Sequence, residues 1–378
     1  MIVKHRPRPP VERTAEETPR NRTHRGGSRQ ISERSTPDAC PPAGPVRRGV
    51  TATVIDCYEF LDRLFPECGL LDLTEGMYHG DSSVSYEEAQ QNQIQWLLDQ
   101  VGCRAGSRIL DIGCGNGTLL DAAQRRGADA VGITVCPAQV ARCRQSGLDA
   151  RLLDYRDITP AWDGRFDAVV ANGSIEHFVQ PHDAVLGWQD IIYRELFQLC
   201  HRVLDGRSPS GRMATTVIHF DRFRPDPRDL RRNPLVFRPF SDRFQVAVLE
   251  RAMGGYYPHD DQLARCAAPY FELVEEVDGT RDYRWTSEEW LRRIRATLGY
   301  WRTMPRLCRR LLPHGLRHPW HALASLSMVV TESWQWQFRG NPPPMRLLRQ
   351  VWQGSQPRHR KVNRTVSGAH QPGDQAGG

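Results

Sequence analysis

One stretch constrains the fold of this chain more than any other, namely Arg108-Ile109-Leu110-Asp111-Ile112-Gly113-Cys114-Gly115-Asn116-Gly117. An apolar segment ends in an acid, three glycines alternate over five residues, and apolar residues then recur at helical spacing at 119, 120, 122 and 123. This pattern predicts a strand, a tight turn and a helix, which open a nucleotide-binding βαβ unit. Glycine suits such a turn because it adopts positive φ at little cost and lets a ligand approach the backbone.

Strands and helices alternate along the rest of the chain. The sequence predicts further strands at 130–133, just before Asp154, at 166–171 and at 212–219, with a long amphipathic helix over 182–204. Such alternation predicts an α/β fold with a doubly wound, mostly parallel sheet, whose ligand binds beyond the carboxyl ends of the strands. Residues 220–260 are rich in Arg, Pro and Asp and predict a loop or lid inserted after the fifth strand.

The two ends of the chain carry its net charge of +7. Residues 1–48 hold 11 Lys and Arg against 5 Asp and Glu, and residues 354–378 hold 4 against 1. Both segments are rich in Pro, Gly, Ser and Arg, which predicts disordered tails on either side of a folded region at 50–350. Such tails can contact an anionic membrane surface. A solvated tail without a partner is the alternative.

Several protein classes are excluded by features that the sequence lacks. No apolar run approaches the ~18 residues of a membrane span, and no apolar signal segment stands near the first residue. Ten cysteines are present without any Cys-x-x-Cys spacing, which argues against a zinc site and a disulfide framework. We therefore expect a cytoplasmic protein, at most peripheral to a membrane, with no metal site.

The glycine run resembles motif I of class I S-adenosylmethionine-dependent methyltransferases, and other segments extend the resemblance. They are Glu87-Glu88-Ala89-Gln90, Gly132-Ile133-Thr134 with Gln139, Asp154-Tyr155-Arg156-Asp157, Asn172-Gly173-Ser174-Ile175-Glu176-His177-Phe178, and Gly254-Gly255-x-x-Pro258 followed by Asp282-Tyr283-x-x-Thr286-x-x-x-Trp290. Their order and spacing over roughly residues 58–350 are similar to those of the cyclopropane-fatty-acyl-phospholipid synthase and mycolic acid cyclopropane synthase family.

This resemblance implies an architecture and a cofactor. The fold would be Rossmann-like, with a seven-stranded sheet, helical lid insertions, an N-terminal helical lead-in at 50–105 and a C-terminal helical cap at 285–350. The cofactor would be S-adenosyl-L-methionine, held by the acid and glycines of the first loop and by the ends of the second and third strands. The residues implied are Asp111, Gly113, Gly115, Gly117, Thr134, Gln139, Asp154, Tyr155 and Arg156.

The same resemblance implies methyl transfer to an apolar acceptor of lipid or isoprenoid type, at carbon. In the family a Glu after strand four and a Tyr hold bicarbonate, the base that removes a proton after an alkene is methylated. Glu176 and Tyr283 match these two residues, with His177 beside Glu176. Gly76 stands where the family has an active-site Cys, and Thr216 where it has the bicarbonate-binding His. We therefore expect methyl transfer with weak or no dependence on bicarbonate.

Other functions stay open. His219, three residues after Thr216, offers a replacement ligand in the predicted site. Methylation of nitrogen or oxygen in a small molecule is the main alternative. A nucleic-acid methyltransferase is disfavoured, and we expect no nucleic-acid partner, because the Asn-Pro-Pro run at Asn341 lies far from strand four, where that class has its motif. A non-catalytic cofactor-binding protein would have no need of the polar residues Glu176, His177, His219 and Tyr283. The sequence does not decide the oligomeric state.

Overall fold

The structure is a computed structural model, and it describes residues 50–208 and 210–355. The predicted tail at 1–48 lies outside the described residues, as does the predicted tail at 354–378 apart from Gly354 and Ser355. Within the described ranges, no helix combines the length and the apolar character needed to cross a bilayer.

Seven strands form one sheet: β1 (Arg108–Ile112), β2 (Asp129–Thr134), β3 (Asp149–Leu152), β4 (Ala168–Asn172), β5 (Arg212–Phe220), β6 (Phe271–Asp278) and β7 (Met345–Gly354). Their order is β3-β2-β1-β4-β5-β7-β6, and every pairing is parallel except the two that β7 makes. This arrangement confirms the predicted fold class. Because the strand order reverses between β1 and β4, a ligand crevice is expected at their carboxyl ends.

Helices cover both faces of the sheet and extend beyond it. Two precede the sheet, α1 (Val50–Leu64) and α2 (Tyr86–Gln100), and four connect the first five strands, α3 (Thr118–Arg125), α4 (Pro137–Gln145), α5 (Pro181–Val185) and α6 (Gln189–Val203). The long helix predicted over 182–204 is therefore two helices, because Gly187 between them takes a left-handed φ of 74°.

The remaining helices lie around the last two strands. Three follow β5, namely α7 (Pro227–Leu230), α8 (Asp242–Met253) and α9 (Gln262–Ala267), so the segment predicted as a loop or lid is partly helical. Four more separate β6 from β7, namely α10 (Thr280–Gly299), α11 (Met304–Arg317), α12 (Pro319–Val330) and α13 (Ser333–Trp336).

The core is built by alternation along the central strands. Ile109 of β1 and Val170 of β4 pack with Leu97 of α2 on one face of the sheet. Their chain neighbours Leu110 and Val169 belong to a larger cluster on the other face. Because successive side chains of a strand point to opposite faces, an apolar run such as β4 predicts burial on both sides.

The predicted C-terminal cap at 285–350 is wrong at its end, since residues from 345 onward form β7 between β5 and β6. The segment Met345-Arg346-Leu347-Leu348-Arg349-Gln350 mixes apolar and charged residues, and a charged residue normally argues against a central strand. The structure resolves this conflict because Arg349 is fully buried and paired.

Arg349 joins four parts of the fold through its guanidinium. Nε donates to Oε1 of Gln93 in α2 at 2.6 Å, and Nη1 lies 2.9 Å from Asp282 of α10. Nη2 donates to the carbonyl of Gly76, in the loop before α2, at 2.8 Å. A buried cation with this set of acceptors is costly to remove, because its partners lose their only compensation away from water.

We expect Arg349→Leu to lower the free energy of unfolding by about 3–5 kcal/mol, because it leaves buried acceptors uncompensated. Arg346→Leu in the same strand is the matched control. Arg346 pairs with Asp221 at 3.1 Å while 37% exposed, so its loss should cost about 1 kcal/mol or less. Urea unfolding of both variants measures the difference, and equal costs would contradict the role given to Arg349.

Candidate functional site

A cavity opens at the carboxyl ends of β1, β2 and β4, where the strand order predicts a ligand crevice. Its wall combines the glycine loop after β1, the ends of β2 and β3, the segment after β4, and parts of α1 and of the loop before α2. Among the predicted cofactor residues, those that line it are Asp111, Gly113, Gly115, Thr134, Gln139, Asp154, Tyr155 and Arg156.

The glycine loop forms as the sequence predicts, with positive φ at Gly113, Gly115 and Gly117. The three glycines have different surroundings. A Cβ on Gly113 would lie 2.4 Å from the Cβ of Ser174, and one on Gly117 would lie 2.7 Å from Leu148, whereas one on Gly115 would meet nothing within 4 Å. Gly113 and Gly117 are therefore required by packing within the protein. Gly115 is the glycine with open space beside it.

Asp111 ends β1 and lies almost fully buried on the cavity wall. Burial raises the pKa of its carboxyl to about 7, with a smaller contribution from Cys143. A cationic group of a ligand placed beside it would favour the charged carboxylate and lower that pKa.

The ends of β2 and β3 supply the rest of the predicted cofactor wall. The hydroxyl of Thr134 donates to Oε1 of Gln139 at 2.7 Å, so these buried side chains fix one another. Asp154 accepts from the backbone N–H of Arg156 at 3.0 Å and from its Nε at 2.8 Å. The ring of Tyr155 stacks on Phe178 with centroids 4.3 Å apart.

The sequence did not predict the polar contacts by which residues before α2 cover the glycine loop. Asn116, inside the loop, donates to Asp62 of α1 at 3.3 Å, and Arg142 of α4 lies 3.2 Å from the same carboxylate. The hydroxyl of Thr118 donates to Asp72 in the loop before α2. These acids lie in the lead-in, where an apolar-aromatic pattern gives no sign of polar contacts with the glycine loop.

The segment after β4 places Glu176 and His177 in different surroundings. Glu176 is 4% exposed, its Oε1 accepts from the backbone N–H of Ile218 at 2.8 Å, and its Oε2 has no partner among the described residues. Burial raises its pKa to about 8. His177 lines the cavity with Nε2 3.0 Å from the hydroxyl of Tyr58, and burial lowers its pKa to about 4, so the ring is neutral.

Tyr283 of α10 is brought to the same region. Burial raises its pKa well above the usual value, and the carboxyls of Glu75 and Glu176 add to that shift, followed by Tyr257 and Tyr58. Glu75 was not identified from the sequence, although it is buried and directly precedes Gly76. We call Tyr58, Glu75, Glu176, His177 and Tyr283 the glutamate cluster.

His219 does not join the glutamate cluster, contrary to expectation. It lies on the face of β5 opposite Thr216, because three residues along a strand reverse the side on which a side chain lies. Its Nδ1 donates to the carbonyl of Val217 at 3.0 Å, and the charged groups that influence it are Arg346 and His259. Burial lowers its pKa to about 4.

The residues present do not fit a bound bicarbonate. A side chain at Gly76 has no room, since its Cβ would lie 2.7 Å from Tyr78 and 2.8 Å from Ala89. The single proton of the Thr216 hydroxyl is shared between two acceptors within the protein, Asn172 at 2.6 Å and Glu75. Where the family pattern has a Cys and a His as ligands for the anion, this chain therefore has a glycine without room for a side chain and a threonine that is already bonded within the protein.

Comparisons with known proteins agree with this geometry. The family described as mycolic acid cyclopropane synthetase matches residues 74–304, which is more than half of the chain. Ubiquinone biosynthesis O-methyltransferase of Pseudomonas aeruginosa is 30% identical over 133 residues, covering 34% of this chain and 50% of the relative. The chain thus spans about half the length of the curated relatives that it matches.

Solved structures share the fold at low identity. Mycolic acid cyclopropane synthase CmaA1, complexed with SAH and CTAB, superposes with a TM-score of 0.57 at 19% identity over 80% of this chain and 97% of that one. The cyclopropane synthase MmaA2 from Mycobacterium tuberculosis gives 0.55 at 18%, over 80% and 98%. Geranyl diphosphate C-methyltransferase from Streptomyces coelicolor gives 0.50 at 19%, over 82% and 99%.

The family match covers the glycine loop, the segment after β4 and Tyr283, which are the parts that carry the resemblance in the sequence. It confirms the predicted resemblance to this family of S-adenosylmethionine-dependent methyltransferases. The chain belongs to the mycolic acid cyclopropane synthetase family.

Proposed function

We propose that this protein transfers a methyl group from S-adenosylmethionine to a carbon atom of an apolar acceptor of lipid or isoprenoid type. One observation carries the proposal. The cavity with the glycine loop and Asp111 at one side is bordered by His177, and through the Tyr58–His177 contact it adjoins the buried glutamate cluster. A nucleoside site thus adjoins a dry site rich in aromatic rings.

The cavity wall offers a complementary group for each part of the cofactor. Gly115 leaves room for its amino-acid part, and the carboxylate of Asp111 offsets positive charge there. Thr134 and Gln139 are placed for the ribose, and the segment Asp154-Tyr155-Arg156 for the adenine edge. When bound, the sulfonium supplies an electrophilic methyl group.

The glutamate cluster suits a carbon acceptor. Methylation of an alkene leaves a cationic carbon, which the faces of tyrosine rings stabilise and which water would trap. Tyr283 is buried and Tyr58 is half-buried on the cavity wall. Desolvation raises both pKa values, so both remain neutral phenols at physiological pH. Glu176 and Tyr283 are the residues that we assign to the acceptor side, with His177 at its border with the cofactor cavity.

Related proteins support an apolar acceptor. The CmaA1 structure contains CTAB, and the Streptomyces coelicolor enzyme was solved with geranyl diphosphate. Both ligands have apolar chains. The named activities of neighbours also include N-methylation and O-methylation, so the atom that is methylated must be decided by experiment.

The test is to feed methionine with a deuterated methyl group to cells with and without the gene and to analyse lipids and small metabolites by mass spectrometry. We expect a labelled, apolar product that depends on the gene. A ring or methylene product keeps fewer labelled hydrogens than a plain methyl product, because one is lost as a proton. A labelled amine or ether instead would overturn carbon as the acceptor atom, and the absence of any labelled product would overturn methyl transfer.

The affinity for S-adenosylmethionine should fall as the pH drops through about 7. With its pKa raised to about 7, the carboxyl of Asp111 is increasingly protonated below that pH, and the proton must leave when a cation binds beside it. Asp111→Asn should abolish both the pH dependence and the proton release, which calorimetry in two buffers of different ionisation enthalpy measures. Asp121→Asn, in the exposed first turn of α3, is the control. Unchanged proton release in Asp111→Asn would contradict the assignment.

We also infer that the protein binds an anionic membrane through the outer side of α11 and α12. Large apolar side chains lie exposed there, including Leu316 at 74%, Trp320 at 82% and Val330 at 76%. Residues 301–331 hold five arginines and no acid. Two of these arginines, Arg306 and Arg310, pair with Glu67, and the other three add positive charge beside the apolar side chains. An apolar surface flanked by arginines is complementary to acyl chains under anionic headgroups. Such binding would bring the enzyme to a lipid acceptor.

The double variant Leu316→Ser/Trp320→Ser should bind phosphatidylglycerol vesicles at least about tenfold more weakly, because each buried large apolar side chain contributes about 1.5–3 kcal/mol. Vesicle co-sedimentation measures the change. Leu152→Ser/Leu186→Ser, which alters exposed leucines of β3 and of the turn after α5, is the control and should bind as the native protein does. Equal loss in both double variants, or binding to neutral phosphatidylcholine of equal strength, would contradict this surface.

A further inference from the structure

The glutamate cluster contains two buried carboxyls with different surroundings. Glu75 is 2% exposed and Glu176 is 4% exposed, and the charge of Glu75 is one of the causes that raise the pKa of Glu176. Two neighbouring carboxyls in a dry site do not both ionise readily, because the second charge is repelled by the first. One of the pair therefore carries the negative charge and the other carries a proton.

The contacts of Glu75 favour its charged form. Arg349 can only donate, so Oε1 of Gln93 must face it, at 2.6 Å. Nε2 of Gln93 then points to Oε1 of Glu75 at 2.9 Å and needs an acceptor. Burial raises the pKa of Glu75, and the positive charge of Arg349 opposes that effect.

Glu176 has no comparable group that favours its charged form. Its carboxyl accepts from backbone N–H groups only, those of Glu176 itself and of Ile218, and no cation contributes to its pKa. Different environments that separate the proton affinities of paired carboxyls assign the acid and the base of a site. Glu75 is accordingly the carboxylate, and Glu176 is the protonated partner.

The backbone around Glu75 is held on both sides. The carbonyl of Thr74 accepts from Gln90 at 2.8 Å, and the N–H of Gly76 donates to Thr286 at 2.9 Å. The carbonyl of Gly76 accepts from Arg349. A side chain on such an anchored loop is placed with little freedom, as a reacting group requires.

Glu75 also lies at the border of the cofactor cavity. Its neighbour Thr74 lines that cavity, and a Cβ on Gly173, another lining residue, would lie 3.9 Å from Oε2 of Glu75. The carboxylate therefore lies close to the segment after β4 that lines the cavity, and its charge influences Tyr283.

We propose that Glu75 is the catalytic base of this enzyme, an inference that rests on the proposed methyl transfer to an alkene carbon. The π electron pair of the alkene forms the new bond to the methyl carbon, the bond from that carbon to sulfur breaks with its pair on sulfur, and a cationic carbon remains. A neighbouring C–H bond then breaks. Its proton goes to a carboxylate oxygen of Glu75, and its electron pair forms a double bond or closes a ring. Water takes the proton from Glu75 before the next turnover.

The first test compares Glu75→Gln with Glu275→Gln, a change at an exposed residue of β6. The readout is the gene-dependent labelled product of the feeding experiment, measured with each variant in the same host. Loss of a general base costs about 10² to 10⁴ in rate, so we expect product from Glu75→Gln to fall by a factor in that range and product from Glu275→Gln to stay level. Calorimetry with S-adenosylhomocysteine should give Glu75→Gln the native affinity, which shows that it folds.

The second test begins with a binding measurement that requires neither acceptor nor cofactor. Glu75→Ala removes the carboxylate and leaves space beside Gln93 and Thr216, so a small anion can take its place. We expect ¹³C-labelled bicarbonate to show line broadening with Glu75→Ala and none with the native protein. Bicarbonate or formate should also restore product formation to Glu75→Ala and have no effect on Glu75→Gln, in which the space is filled.

The outcomes separate the two proposals. Native product levels from Glu75→Gln, in cells where the native protein makes labelled product, would overturn Glu75 as the base and leave methyl transfer standing. Bicarbonate binding by the native protein would overturn it as well, because the anion would then have its own site. Absence of labelled product and of cofactor binding with the native protein would overturn the proposed methyl transfer itself.

Discussion

The buried guanidinium of Arg349 is the contact on which the acceptor side of this enzyme depends. It lies in the last strand and reaches α2, α10 and the loop before α2. Without a fixed cation at this point, Gln93 would lose its orientation and Glu75 its charge support. The strand that completes the sheet thereby also sets the electrostatics of the site.

Burial and nearby charge give the acidic groups of the site different pKa values. Asp111 and Glu176 have pKa values raised to about 7 and about 8, and neither has a cation that lowers them. Glu75 has such a cation. A protein that handles a cationic cofactor and a cationic reaction centre can use this arrangement, because charge is present where a cation must be bound or deprotonated and is withheld elsewhere.

Much of this structure could be predicted from the sequence, because its signals are local. The glycine loop and the apolar run of β4 each determine a backbone shape within a few residues, and both formed as expected. The motifs that match the family also place most cofactor residues on one cavity wall.

What the sequence could not show depends on partners distant in the chain. The sequence of β7 does not predict a buried strand, because it contains a charged residue. Arg349 is accommodated there by pairing with residues 67 and 256 positions away in the chain. Glu75 gave no signal because a lone glutamate in a loop is normally solvated, and only the packing of Gly76 against Ala89 draws it inside. His219 was misplaced because spacing along a strand was counted without regard to its two faces.

The first helix has a consequence for the order of events in a catalytic cycle. Asp62 of α1 holds Asn116 over the glycine loop, and one turn earlier on the same face of the helix Tyr58 contacts His177 at the border of the glutamate cluster. α1 thus contacts both the glycine loop and the glutamate cluster. A displacement large enough to release a nucleoside would also break the contact at His177, so exchange of spent cofactor and admission of a new acceptor are one gated event.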